Sequence, residues 1–281
     1  MRLSWGRKMP ELPEVETIGR ALSTALPGRV IKRVEVFTPA MRTSLEPLKT
    51  AGLPGHRIES VRRRARYLVV KLDDGRGLVM HFGMTGVVRV ESADIPRRRH
   101  EHVFLHLDDG MIFRFECVRR FSQLEVHELN ADGWPEMFAG FGVEPLTEDF
   151  TPEYLYAQSR RRHGAVKPFL MDNAVVTGIG NIYATETLFA ARIDPRRPAD
   201  SLRKTECRRI TEQAKRILTE AIQQGGTTVS DFRHVDGSQG HFAVNLQVYG
   251  KAGKPCPVCG TVLTAVKLGG RTSVFCPECQ K

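Results

Sequence analysis

The spacing of apolar residues changes character along the chain. Val15, Ile18, Leu22 and Leu26 recur at helical intervals, so the pattern predicts a helix from Pro13 to Leu26. Pro13 suits its first turn, and Pro27-Gly28 stops it. Short, strand-like runs follow at Val30–Phe37, Arg66–Leu72, Leu78–Phe82, Val87–Glu91, His102–Leu107 and Met111–Phe115. Asp73-Asp74-Gly75 and Asp108-Asp109-Gly110 read as hairpin turns between them. Such a run of strands predicts a sandwich or barrel-like β domain. After Gly142 the helical period returns, at Pro152–Gln158, Lys167–Asp172, Asn181–Ala191 and Ser201–Gln224. In the last segment Leu202, Ile210, Ala214, Ile217, Leu218, Ala221 and Ile222 form one stripe, and Gly225-Gly226 ends it. A helical domain therefore follows the β domain.

The composition is that of a globular protein: 281 residues, 41% hydrophobic and 26% charged. No apolar stretch is long enough for a membrane span, and Met1 to Lys8 lack a signal-peptide core. The expected setting is the cytoplasm, with no membrane partner. Charge adds more: 42 Lys and Arg against 32 Asp and Glu leave +10, which favours a polyanionic partner such as nucleic acid. The cations are grouped, at Arg62-Arg63-Arg64-Ala65-Arg66 before a strand, and at Arg97-Arg98-Arg99-His100 and Arg160-Arg161-Arg162-His163 in polar stretches. Cations in loops around a groove would hold phosphates; alone, each group also reads as a solvated charged face.

The cysteines are more specific. Cys256, Cys259, Cys276 and Cys279 form two C-x2-C pairs, and Gly260 follows the first pair. Two thiolates three residues apart can meet one ion from a tight turn, and a hairpin returns the second pair, so the spacing predicts one structural zinc ion. Cys117 and Cys207 read as packing residues. Gly178-Ile179-Gly180-Asn181 opens a helix, where free N–H groups suit a phosphate, although a plain turn explains the glycines as well.

The segment Met9-Pro10-Glu11-Leu12-Pro13-Glu14-Val15-Glu16-Thr17 resembles the start of the bacterial formamidopyrimidine-DNA glycosylases. The likeness runs to Lys281. It passes through His81-Phe82-Gly83-Met84-Thr85-Gly86, Arg119-Arg120-Phe121 and Lys167-Pro168-Phe169-Leu170-Met171-Asp172-Asn173. It continues through the 178–184 segment, Gln224 to Thr228, Leu246-Gln247-Val248-Tyr249-Gly250 and the four cysteines. The resemblance implies an α+β chain with an N-terminal β-sandwich over 10–142, a helix–two-turn–helix domain over 143–244 and a zinc-finger hairpin over 245–281. Residues 1–9 stand as an extension. It also implies a nucleoid-associated monomer that acts on double-stranded DNA, flipping out an oxidised purine such as 8-oxoguanine to reach its sugar.

The same resemblance assigns roles residue by residue. Pro10, once its nitrogen is a free secondary amine, would attack the sugar and form an iminium that drives β- and δ-elimination. Glu11 would be the general acid for ring opening. Arg66 and Arg271 would hold phosphates near the reaction. Met84, Arg119 and Phe121 would fill the gap left by the flipped base. His100, His163, Lys167 and Asn181 would lie along the DNA backbone, and Thr227 to Asn245 would close over the damaged base.

Four features depart from the family's pattern. Eight residues precede Met9, and while they remain Pro10 is an amide; translation from Met9 followed by methionine removal would restore the amine. Arg66 stands where a lysine is usual, and keeps the phosphate charge without useful proton transfer. Cys117-Val118-Arg119-Arg120-Phe121-Ser122 replaces Asp-Pro-Arg-Arg-Phe-Gly, removing proline and glycine constraints, so a shift in opposite-base preference is expected. His163 replaces a common lysine and should lose its charge above about pH 6.5. Two other functions fit these departures: a catalytically impaired lesion-binding protein, and a glycosylase for oxidised pyrimidines.

Overall fold

The computed structural model describes residues 9–225 and 246–281, in two compact units. The first takes in residues 9–10 and 14–139 with Gly225; the second takes in 11–13, 140–224 and 246–281. The extension ahead of Met9 and the whole of the proposed closing loop, Thr227 to Asn245, lie outside the described residues. No helix among them is long and apolar enough to cross a membrane.

Helix α1 runs from Leu12 to Ala25, and its apolar stripe is buried as the spacing predicts: Val15, Ile18, Leu22 and Leu26 are each at most 5% exposed. It lies so close to a strand that a Cβ on Gly19 would be 2.9 Å from Leu68. The chain then continues through β1 (Ile31–Val36), α2 (Glu46–Thr50), β2 (Ile58–Arg64), β3 (Tyr67–Leu72), β4 (Arg76–His81), β5 (Gly86–Ser92), β6 (Glu101–Leu107), β7 (Met111–Cys117) and β8 (Gln123–Glu128). These strands form two antiparallel four-stranded sheets, β1-β6-β7-β5 and β2-β3-β4-β8. One core joins inward residues of both, among them Leu68, Val70, Met80, Val88, Val103, Phe113 and Phe115. Gly75 and Gly110, both at positive φ, make the two hairpin turns expected from Asp-Asp-Gly.

The sequence pattern misses β2, β8 and α2. Both missed strands are edges of the same sheet. Edge strands carry charge that discourages further pairing, and that charge hides their alternation. Three of the grouped arginines, Arg62 to Arg64, lie within β2, and the group precedes β3 as the sequence suggests.

In the second unit, α3 (Pro152–Ser159), α4 (Val166–Leu170), α5 (Asn181–Ala190) and α6 (Lys204–Gln223) surround a core that includes Leu155, Leu170, Tyr183, Leu188, Ile210 and Leu218. Thr151 caps α3 by accepting from the Tyr154 N–H at 3.0 Å. The chain ends in a hairpin of β9 (Thr264–Leu268) and β10 (Arg271–Phe275), with Arg271 paired to Leu268 at its tip.

Candidate active site and nucleic-acid interface

Glu11 is 4% exposed, and its carboxylate sits at the start of α5. It accepts backbone N–H bonds from Gly180 at 2.9 Å, Ile182 at 2.9 Å and Tyr183 at 3.3 Å. These are the donors that helix α5 cannot satisfy internally, and they favour an anion. The anion at this helix start is therefore a side chain of the chain itself rather than the phosphate that its free N–H groups would also suit. The glycines make room for it. A Cβ on Gly180 would lie 2.3 Å from the Glu11 carboxyl carbon, and one on Gly178, at φ +78°, would lie 2.8 Å from Leu12. Gly180→Ala should expel the carboxylate and leave buried N–H groups unpaired, costing about 1–3 kcal/mol of stability. Lesion excision by this variant should fall by about 10² or more, the scale of a misplaced acid–base group. Single-turnover cleavage and a thermal melt read both effects; unchanged cleavage would separate Glu11 from the chemistry.

Lys167 and Asn181 meet in the same unit. The Lys167 ammonium donates to Asn181 Oδ1 at 2.6 Å, the Thr272 carbonyl at 3.1 Å and Ser273 Oγ at 2.9 Å. At 1% exposure it is enclosed rather than turned to solvent like a simple phosphate ligand. Burial pushes its pKa down to about 8, with the negative charge of Glu11 pulling the other way. Its contacts pin β10 directly beside Arg271, which is itself exposed at the hairpin tip. The Tyr249 hydroxyl also bonds Asn181, while burial raises its pKa. His163 is set apart: 87% exposed, its Nδ1 lies 2.6 Å from Asp200.

Within the first unit, Ala65 takes a left-handed φ of 55° in the turn between β2 and β3. This strained turn carries Arg66, whose Nη1 lies 3.8 Å from the sulfur of Met9, the residue before Pro10. Met84, Arg119 and Phe121 are together: Arg119 Nη1 is 3.4 Å from the Met84 sulfur, and its guanidinium lies over the Phe121 ring at 4.9 Å. Phe121 is 48% exposed, a large apolar side chain at a loop tip. Under the Met84 loop, burial and the charges of Arg66 and Arg42 push the His81 pKa down to about 4. The imidazole is therefore neutral at neutral pH, and its Nδ1 accepts from the Gly83 N–H at 3.2 Å. His100 accepts from the Cys117 N–H through its carbonyl, which ties it to the end of β7.

Many of the grouped cations have internal partners. Arg62 stacks over Trp134 at 4.1 Å, and Arg63 pairs with Glu16 at 2.7 Å. Arg97 lies over Phe37, Arg98 binds both Glu91 and Glu101, and Arg160 lies over Tyr156. A run of arginines is thus a weaker sign of a phosphate track than its charge suggests.

Sequence reasoning overlooks Glu186. Its buried carboxylate accepts N–H bonds from Gln247, Val248 and Tyr249 at 2.7–3.0 Å. It thereby anchors the segment that brings Tyr249 to Asn181. The available signal was an acid within an apolar helix, Ile182 to Phe189.

The four cysteines converge, with all Sγ atoms within 4.8 Å of one another. The sulfurs of Cys256 and Cys279 are 3.9 Å apart and those of Cys259 and Cys276 3.5 Å, and all four cysteines are free of disulfides. A tetrahedral zinc ion with Zn–S bonds of about 2.3 Å needs sulfurs about 3.8 Å apart, so the set fits zinc.

Comparison with known proteins agrees with this geometry. Residues 9–124 match the formamidopyrimidine-DNA glycosylase N-terminal domain, 141–233 its H2TH domain, and 253–281 the zinc finger found in FPG and IleRS. The chain is 46% identical over 275 residues to a formamidopyrimidine-DNA glycosylase of Pseudomonas putida (strain GB-1), covering 97% of this chain and all of the relative. It is 47% identical over 273 residues to that of Ectopseudomonas mendocina, with the same coverage. Among solved structures, it is similar to a Lactococcus lactis FPG mutant in complex with Fapy-dG containing DNA, with TM-score 0.86, 33% identity, and 97% and 100% of the two chains covered. A structure of MutM with carbocyclic 8-oxo-G containing DNA is similar at TM-score 0.86 and 34% identity, with the same coverage. With three successive domain matches and full-length relatives, the chain belongs to the formamidopyrimidine-DNA glycosylase family.

Proposed function

We propose that this protein is a base-excision repair enzyme that removes oxidised purines from double-stranded DNA and cuts the abasic site it leaves. It acts as a monomer on cytoplasmic, nucleoid DNA, and the domain limits at 142/143 and 244/245 belong to this reading. The observation that carries it is Glu11: a buried carboxylate, fixed by three N–H donors, adjoins Pro10 in the chain.

The free amine of Pro10 attacks C1′ as the bond from C1′ to the damaged base breaks. Glu11, ionised while its oxygens accept three N–H bonds, takes the proton released by the nitrogen and passes it to the sugar ring oxygen as the ring opens. The resulting iminium withdraws electrons, so the 3′ phosphate leaves by β-elimination and the 5′ phosphate by δ-elimination. Arg66 and Arg271 hold the phosphates, and Lys167 acts on Arg271 through β10. Met84, Arg119 and Phe121 occupy the vacated stack, with Arg119 able to hydrogen-bond the orphaned cytosine. Cys256, Cys259, Cys276 and Cys279 would hold a zinc ion, which would supply the cross-link that stiffens the hairpin carrying Arg271.

The test is a set of duplexes incubated with the protein. Release of 8-oxoguanine opposite cytosine, leaving a gap with phosphates at both ends, is expected. Preferential cleavage at thymine glycol would move the assignment to oxidised pyrimidines. Tight, salt-dependent binding without cleavage would make the protein a lesion binder.

A further inference from the structure

The loop carrying Met84 and the loop carrying Arg119 and Phe121 are joined by three side chains outside the reacting groups. Thr85 Oγ1 accepts from the Arg119 N–H at 3.0 Å and lies 3.6 Å from Cys117 Sγ. Ser122 Oγ lies 2.9 Å from that same sulfur and donates to the Phe82 carbonyl at 2.7 Å. With its proton on Phe82, the serine oxygen is left to accept from the Cys117 thiol. Cys117 and Ser122 are fully buried. The backbones are in contact as well: a Cβ on Gly83 would lie 2.4 Å from the Phe121 carbonyl, and one on Gly86 would lie 2.6 Å from Ser122 Oγ. Gly86 and Cys117 are register partners where β5 begins and β7 ends. The bonds therefore brace both loops at their roots. Arg120, at φ +54°, closes the tight turn within the second loop, its N–H reaching the Cys117 carbonyl at 3.4 Å.

We infer that Thr85, Cys117 and Ser122 form a lock that makes the two loops one rigid wedge, and that this lock sets the preference for the base opposite the lesion. The inference rests on the proposed gap-filling role of Met84, Arg119 and Phe121. It accounts for the change from Asp-Pro-Arg-Arg-Phe-Gly: the stiffness that the proline would give comes here from a chain of side-chain bonds. Discrimination needs that stiffness, because a guanidinium that swings can reach more than one base edge. Thr85, Cys117 and Ser122 are positioning residues. They act through where they hold Arg119 and Phe121.

The test uses the full chain with a duplex holding an uncleavable tetrahydrofuran abasic analogue and 2-aminopurine beside the orphaned base. Wedge insertion unstacks the 2-aminopurine and raises its fluorescence. Thr85→Val and Ser122→Ala should each lower the signal per bound complex. Each should also reduce the preference for 8-oxoguanine opposite cytosine over adenine by about fivefold, the worth of one net hydrogen bond. Cutting of a preformed abasic site, which needs no base extruded, should stay near the unmodified level. Thr85→Ser keeps the hydroxyl and should restore both readouts. Unchanged fluorescence and an unchanged preference in both variants would overturn the lock. So would an equal loss at preformed abasic sites, which would mark these residues as general support for the fold. If the unmodified chain releases no 8-oxoguanine, the excision reading fails, while the fluorescence measurement still decides whether the loops are locked.

Discussion

Protein prepared with Pro10 as its first residue should form a covalent adduct with an 8-oxoguanine duplex in borohydride, and the adduct should map to Pro10. The same protein carrying residues 1–9 should form none. The difference is close to all-or-none because it is electronic. An amide nitrogen shares its lone pair with a carbonyl and cannot attack C1′. A free prolyl nitrogen has that pair available, and as a secondary amine it can only give a permanently charged iminium, the electron sink that elimination requires. Glu11, the next residue in the chain, is itself fixed at the start of α5. Pro10→Gly, also with a free first residue, keeps an amine but yields an imine that must be protonated before it withdraws electrons. Its cleavage should fall by on the order of 10² or more, the scale of losing a positioned catalytic group. Duplex binding, carried by cations elsewhere, should persist. An adduct from the blocked chain, or full cleavage by Pro10→Gly, would remove Pro10 from the mechanism.

How much of this could be read in advance follows from which interactions are local. The α1 stripe and the hairpin turns lie within a few residues of one another, and they appear where the pattern places them. The four cysteines were equally legible, because a metal knuckle imposes its spacing on the chain directly. Strands β2 and β8 were hidden by the charge that edge positions carry. Glu11 was illegible from its neighbours. It reads as a favourable acid near a helix start, and so it is, but the helix is α5, about 170 residues away. Lys167 was legible as important and not as buried, since its acceptors come from Asn181 and from β10, more than 100 residues on. The resemblance supplied roles for these residues. Only the fold shows that one is an internal helix-cap anion and the other a pin for the hairpin.

Removal of zinc should be the second large loss, with Arg271 as its point of action. The hairpin core is small: Phe189, Val248, Cys256, Leu263, Val274 and Cys276. So few apolar side chains cannot hold two short strands in place without a cross-link, which is why small metal domains couple folding to the ion. With the cysteines unlinked, β10 should loosen, and the Lys167 bonds to Thr272 and Ser273 should loosen with it. Arg271 then no longer stands at a fixed hairpin tip. Cys256→Ser, or stripping the metal with a strong chelator, is expected to weaken duplex binding by at least about tenfold. The salt dependence of binding should also become shallower by about one counterion, as for a lost phosphate contact. Arg271→Ala in zinc-loaded protein should reproduce the shallower slope without releasing metal. That comparison distinguishes the finger's structural work from the arginine's electrostatic work. Chelated protein that keeps its affinity and its slope would show that the hairpin holds its shape unaided, and the four thiolates would lose the structural role given to them here.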